Sequence, residues 1–265
     1  MGGGGATLTG KQGKEAMLKF LCYLIKRHKT APENALERFA DALQNEAALK
    51  ALHNVYAGKR CVLIGGAPSL SQLDLSLLTN EYTFTVGRGY RLKEKGLKHS
   101  SFHVLSDVQG FTEFQNEIDW TFSDMTFFAS CLPIKASSNR LRFAYYRRPL
   151  MTDGFFQTDA TQPLYRGHTV MVYALQIAYF LGFRDIYFIG VDLDFKHAAG
   201  HAYGSSAGEQ HRQQTLSVRQ QAKMRRALVC AARFLKRRGC RLYNASPAGC
   251  LDCVERVSFN EVFHG

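Results

Sequence analysis

No stretch of this 265-residue chain approaches the roughly 18 to 20 consecutive apolar residues of a membrane-spanning helix. The best candidate, Met17 to Ile25, is short and interrupted by Lys19. A secretory signal is lacking too, because the start reads Met1-Gly2-Gly3-Gly4-Gly5-Ala6-Thr7, with no basic region, apolar core or cleavage site. That start reads as a flexible leader, and a cytoplasmic protein is expected. There is no disulfide framework: the seven cysteines are an odd number, with Cys61 in a strand-like run and Cys230 in a helical one, as reduced thiols would be. Cys250 and Cys253 have CxxC spacing, but no second ligand pair stands at a familiar distance, which favours buried thiols over zinc. Internal repeats and low-complexity linkers are absent after the leader. Negative charge is scarce, with 22 Asp and Glu against 34 Lys and Arg and a net charge of +12. Such a field favours an anionic partner: nucleic acid, an acidic membrane surface or a phosphorylated substrate. No basic, aromatic-interleaved motif of the RNA-recognition kind accompanies it, so nucleic acid is not expected.

What is present is the composition of a soluble globular protein, 46% hydrophobic and 21% charged. Residues 13 to 29 read as an amphipathic basic helix, with Lys19, Lys26, Arg27 and Lys29 beside Leu18, Phe20, Leu21, Leu24 and Ile25. A second helix is expected from Pro32, with Leu36, Phe39, Leu43, Ala47, Leu52 and Val55 at helical spacing and Gly58 as its stop. Residues 1–58 thus form a leader and two appended helices, and residues 59–265 a catalytic domain. From Lys59 onward, short apolar runs alternate with helices. Strands are expected at Cys61–Ile64, Tyr82–Val86, Phe102–Leu105, Thr126–Ala129, Leu141–Tyr145, Ile186–Ile189 and Arg241–Tyr243. Long helices are expected at Thr169–Leu181 and Leu216–Arg238. The alternation predicts an α/β fold, a Rossmann-like, doubly wound and mostly parallel sheet, with ligands beyond the carboxyl ends of its strands.

Four segments at such ends carry chemistry. In Gly65-Gly66-Ala67-Pro68-Ser69 a buried strand meets two glycines and then a pair that can open a helix, so backbone N–H groups can face a phosphate. The segment lacks both the GxGxxG of dinucleotide folds and the Gly-Lys-Ser/Thr of a P-loop. In Arg166-Gly167-His168-Thr169, Thr169 can cap a helix, and the turn with Arg166 can also hold an anion. The strand Ile186–Ile189 ends in Gly190-Val191-Asp192, where Asp192 either contacts a ligand or braces loop N–H groups. The loop beyond holds Lys196, His197, His201, Tyr203, Ser205, Ser206 and His211. His197 and His201 would suit a metal on a helix, but Gly200 and Gly204 argue against one. The last segment, Tyr243-Asn244-Ala245-Ser246-Pro247, ends a strand in small polar groups, with Ser246 able to meet a base or ribose.

In this order, Gly-Gly-Ala-Pro-Ser-Leu, the helix ending Leu-Gly-Phe, the strand Ile-Tyr-Phe-Ile-Gly-Val-Asp and the closing Leu-Tyr-Asn-Ala-Ser-Pro resemble the bacterial metal-independent sialyltransferases. They are still more similar to the broader family that includes the motility-associated-factor glycosyltransferases and the archaeal 6-hydroxymethylpterin diphosphokinases. The resemblance covers about residues 59 to 263. It implies a CMP-activated sugar donor, sialic acid or a related ulosonic acid, and a glycan or lipid-linked glycan acceptor. Transfer would invert the anomeric carbon without a metal cofactor. Gly65, Gly66, Ala67, Pro68 and Ser69 would line the nucleotide site, Asp107 falls where that family has a ligand-contacting Asn, and Thr169 would stand near the sugar or phosphate. His201 matches the loop histidine and is the candidate base, with His211 the alternative. Tyr203 would give its hydroxyl to the leaving phosphate, helped by Arg166. Two other readings remain: pyrophosphoryl transfer from ATP, with magnesium on Asp192 and Asp194, and a non-catalytic nucleotide-binding module. Peripheral contact with an anionic inner membrane would fall to the basic amino-terminal helix.

Overall fold

A computed structural model describes residues 33–146, 156–193, 200–216 and 218–264. Helix α1, Glu33–Ala51, carries a boundary between two compact units, Met1–Ala47 and Ala48–Gly265. This division falls ahead of the boundary expected at residue 58. The reason lies in residues 49–56: Leu49 is buried, Asn54 and Tyr56 donate their N–H groups to the carbonyls of Phe180 and Leu181, and Tyr56 stacks on Phe183. The helix stops at Ala51 rather than running to Gly58, and turns fill the gap. The expected helix at 13–29 lies outside the described residues.

The larger unit is built on one sheet of eight strands: β1 Arg60–Ile64, β2 Tyr82–Val86, β3 Ser100–Leu105, β4 Ser123–Ala129, β5 Arg140–Phe143, β6 Asp185–Ile189, β7 Arg241–Asn244 and β8 Glu255–Arg256. Their order is β5-β4-β3-β2-β1-β6-β7-β8, and every pairing is parallel. Parallel strands need both faces covered, which is why β1 reads as an unbroken apolar run, with Cys61 to Ile64 all at 0% exposure. On one face Leu63, Phe84, Phe102, Phe127 and Phe143 meet helices α3, Val170–Leu181, and α5, Val218–Lys236. Ten of the twelve residues of α3 are buried. On the other face Val62, Ile64, Leu105, Phe128 and Ile189 are covered by short 3-10 turns, by α2, Val108–Phe114, and by α6, Phe259–Phe263. Helix α4, Ala207–Gln214, comes between β6 and α5.

Chain order reverses at β1, which has β2 on one side and β6 on the other. Such a reversal opens a crevice at the carboxyl ends of the two central strands, because their connections leave toward opposite faces. Here that point falls at Gly65 and Gly190.

Candidate functional site at the carboxyl ends of β1 and β6

The turn after β1 is fastened to the turn after β6 through backbone alone. The N–H of Gly65 donates to Ile189 O at 2.9 Å and that of Ala67 to Gly190 O at 3.0 Å. A Cβ on Gly65 would stand 2.1 Å from Gly190 O, so only glycine lets the strands meet this closely. Pro68 then opens a helix, one of five residues and of 3-10 type, Pro68–Gln72. The N–H of Ser69 is already taken. It donates to Asp192 Oδ2 at 3.3 Å, while Ser69 Oγ donates to Oδ1 of the same carboxylate at 2.5 Å. Of its two expected roles, Asp192 performs the bracing one. Its own backbone is held in turn: Cys250 N–H donates to Asp192 O at 2.6 Å, and Gly249 packs against it so tightly that a Cβ would lie 2.4 Å from Asp192 Cα.

Onto this turn folds the segment 200–206. Gly66 O accepts the N–H of Ala202 at 3.0 Å and lies 3.2 Å from His201 Nδ1. A carbonyl can only accept, so Nδ1 carries the proton and the lone pair of the neutral ring is on Nε2. The ring of Tyr203 stacks on that of His201, with centroids 5.0 Å apart and planes 20° apart. Burial lowers the pKa of His201 against the opposing pull of the Glu209 carboxylate. Burial also pushes the Tyr203 phenol well above its usual value, so it stays protonated and can act only as a hydrogen-bond donor or a support. Gly65 to Ser69, Asp192, His201 and Tyr203 are thus one connected group. His211 lies on α4 and is exposed, and His197, Lys196 and Asp194 fall outside the described residues.

The remaining expected residues stand at their own helix and strand ends. Thr169 caps α3, accepting from Met171 N–H at 3.3 Å, which is the capping role foreseen as one alternative. Gly167 before it has φ +55, and a Cβ there would strike Val172 at 2.5 Å. Arg166 is exposed. Asp107 is exposed and caps α2, accepting from Gln109 N–H at 3.1 Å. Ser246, after β7, is 1% exposed, and its Oγ has no hydrogen-bond partner among the described residues.

Two arginines escaped the sequence reading. Arg88, after β2, is 6% exposed and donates to Glu209 at 3.0 Å and to Glu117 at 2.6 Å. Burial alone would lower its pKa, but these bonds and Tyr90 more than offset that and raise it. It therefore stays charged and joins β2 to the start of α4, and both Arg88 and Glu209 act electrostatically on His201. Its signal was a single Arg between two glycines, Gly87-Arg88-Gly89, at a strand's carboxyl end. Arg256 of β8 donates to the carbonyls of Ser246 at 2.5 Å, Ala248 at 3.4 Å and Gly249 at 2.9 Å, which fixes the loop leaning on Asp192. No feature of the sequence marked it. Among the described residues, no group of three or more His, Cys, Asp or Glu side chains is placed to hold a metal.

Several solved structures share this fold. The sialyltransferase CstII from Campylobacter jejuni, in complex with cytidine-5'-monophosphate, is 15% identical over 77% of this chain and 86% of its own, with a TM-score of 0.50. The MAf glycosyltransferase from Magnetospirillum magneticum AMB-1 is 14% identical over 86% of this chain, with a TM-score of 0.48, and this chain spans only 42% of its length. An α-2,3-sialyltransferase from Campylobacter jejuni in apo form is 14% identical over 78% of this chain and 84% of its own, with a TM-score of 0.43. At such identities the likeness is one of fold. No curated protein matches the chain in sequence. A family model described as 6-hydroxymethylpterin diphosphokinase MptE-like matches residues 33–198.

Proposed function

Because the chain belongs to the 6-hydroxymethylpterin diphosphokinase MptE-like family, whose fold it shares with a sialyltransferase solved with cytidine-5'-monophosphate, we propose that it is a glycosyltransferase using a CMP-activated sugar. The donor sugar is sialic acid or a related ulosonic acid, and the acceptor is a glycan or lipid-linked glycan. The observation that carries this reading is the bond from His201 Nδ1 to Gly66 O. It ties a neutral imidazole to the glycine turn at the sheet's switch point, where ligands of such sheets lie. The lone pair on Nε2 then accepts the acceptor hydroxyl proton as that oxygen attacks the anomeric carbon. The bond to the nucleotide phosphate breaks, and the configuration inverts. Gly65, Gly66 and Ala67 let the donor approach the backbone, and Asp192 holds the turn's shape through Ser69. Tyr203 stacks on the imidazole and, kept protonated by burial, offers its hydroxyl to the leaving phosphate. Arg166, Gly167, Thr169, Asp107 and Ser246 are proposed as outer contacts of the nucleotide. A nucleoside monophosphate leaves with less charge than a diphosphate, so the reaction proceeds without a divalent metal.

The family description favours a second reading, pyrophosphoryl transfer from ATP with magnesium. In that reading Asp192 and Asp194 hold the magnesium; Asp194 lies outside the described residues, and Asp192 accepts from Ser69 through both oxygens, each of which keeps a second lone pair. Turnover of a CMP-sugar separates the residues involved. His201→Ala is expected to lose about a hundredfold or more in kcat with CMP binding intact, and His211→Ala to keep its rate. Full activity in His201→Ala with a dead His211→Ala moves the base to α4. Full activity in both removes the histidine base.

A further inference from the structure

Between Glu209 and Asp252 the chain carries ten Lys and Arg residues and no Asp or Glu. Helix α5 holds the centre of this stretch. Its buried side, Ala227, Leu228, Ala231, Ala232 and Leu235, is packed on the sheet unit and fixes which side faces outward. Arg219, Lys223, Arg226, Arg233 and Arg237 are all exposed. Their spacings of four, three, seven and four residues put them in one sector about 80° wide at 100° per residue. Arg237 continues the helical geometry past Lys236 through its N–H to Arg233 O, at 3.2 Å. The stripe is therefore straight and about 27 Å long.

Helix stability does not account for it. Arg219 and Lys223 sit in the first turns, at the positive end of the helix dipole, and no acidic residue offsets them there. Like charges at i, i+3 and i, i+4 repel one another. A rigid row of cations maintained against these costs fits a planar negative surface. Ala222 and Cys230 lie between the charges, and the ring of Phe234 beside them is already taken by Phe156, 4.7 Å away, and by Arg238 at 3.8 Å, which leaves no aromatic face on which a base would stack. We infer that the outer face of α5 is a docking surface for an anionic lipid bilayer.

The inference deepens the transferase reading at one point. Arg225 of α5, about 120° around the helix from the centre of the stripe, donates to Leu193 O at 3.4 Å, beside Asp192, so the helix that carries the stripe borders the candidate site. A bilayer docked on the outer face of α5 then stands about one helix diameter, roughly 10 Å, from that border, within reach of the sugar of a lipid-linked glycan. This placement of the acceptor rests on the proposed function; binding of the stripe to lipid does not.

The test is co-sedimentation of the full chain with phosphatidylcholine vesicles, with and without phosphatidylglycerol, alongside a CMP-binding titration. Expected is partition only onto the phosphatidylglycerol vesicles, lost at high salt. Each basic side chain near an anionic surface contributes about fivefold to partition, so Arg219→Gln/Lys223→Gln/Arg233→Gln should weaken it on the order of 100-fold. Arg219→Lys/Arg233→Lys should keep it. If the triple variant melts early, the three single Gln variants decide, each losing about fivefold. The inference is overturned if the wild type ignores phosphatidylglycerol, if the triple variant partitions unchanged, or if single-stranded nucleic acid binds more tightly than vesicles. CMP binding reports on the transferase reading separately, so a chain that binds CMP but not lipid loses only this inference.

Discussion

His201 meets two demands that usually conflict: it must be basic enough to take a proton, yet neutral when substrate arrives. Burial settles this by lowering its pKa, so the ring is neutral from mildly acidic pH upward. The rate of CMP-sugar turnover should therefore rise with pH along a limb whose midpoint lies below the ordinary histidine value of about 6.5, then level off. A limb centred above that value would mean that another group is titrating. His103, in β3, is governed by burial more simply. It is held to Thr85 Oγ1 at 2.8 Å, and its pKa is pushed down to about 4. Between that value and the unfolded one near 6.5, only the unfolded chain binds the proton. The resulting stability is complete above about pH 6.5 and drains away as pH falls toward 4, by up to about 3 kcal/mol. Urea midpoints measured from pH 7.5 to 4.5 should show this slope in the wild type and a flatter one in His103→Gln; equal slopes would place the loss elsewhere.

Among the elements, the two glycines after β1 have different work. At Gly65 an added Cβ meets backbone, Gly190 O at 2.1 Å, and backbone on a central strand cannot yield. Gly65→Ala should cost about 3 to 5 kcal/mol, read as a urea midpoint, and a near-neutral result would mean that β1 and β6 part easily. At Gly66 the Cβ meets side chains only, His201 Nδ1 at 2.7 Å and the Tyr203 hydroxyl at 3.1 Å, and rings can turn aside where backbone cannot. Gly66→Ala should cost only about 1 kcal/mol but reduce turnover severalfold or more, by turning the imidazole. Full turnover there would deny that the Gly66 contact sets the ring. The seven longer strands were legible in the sequence to within a few residues, because strands buried on both faces show as plain apolar runs. Helix α4 was not, since Ala-Gly-Glu-Gln-His-Arg-Gln-Gln has no apolar period. Its start was nevertheless written as a reciprocal cap: Ser206 Oγ accepts the N–H of Glu209 at 3.1 Å, and Glu209 Oε2 accepts that of Ser206 at 2.9 Å. The same Ser-x-x-Glu spacing opens α6, where Ser258 Oγ accepts from Glu261 N–H at 3.4 Å. The helix foreseen after Pro68 forms, as a 3-10 helix of five residues. Its cap residue, Ala67, has no polar side chain to hold the first turn, and Asp192, a residue 123 positions away, takes the Ser69 N–H that a ligand was expected to meet. No local pattern could reveal that bond.

For the whole molecule, the parallel sheet with its reversal at β1 places the crevice, and the segments gathered there decide what it holds. The order of the four marked segments was legible, and so was the sheet. The tying of β1, β6 and the 200–206 loop into one unit depends on contacts far apart in the chain. What separates the transferase reading from pyrophosphoryl transfer is the nucleotide and its need for a metal. The most direct measurement is the melting temperature of the full chain with CMP, CDP, UDP and ATP, each in EDTA and in magnesium. CMP should stabilise the protein equally in both, by about 2.7 kcal/mol at a concentration a hundredfold above its Kd. Stabilisation by ATP only with magnesium, and none by CMP, would contradict the account.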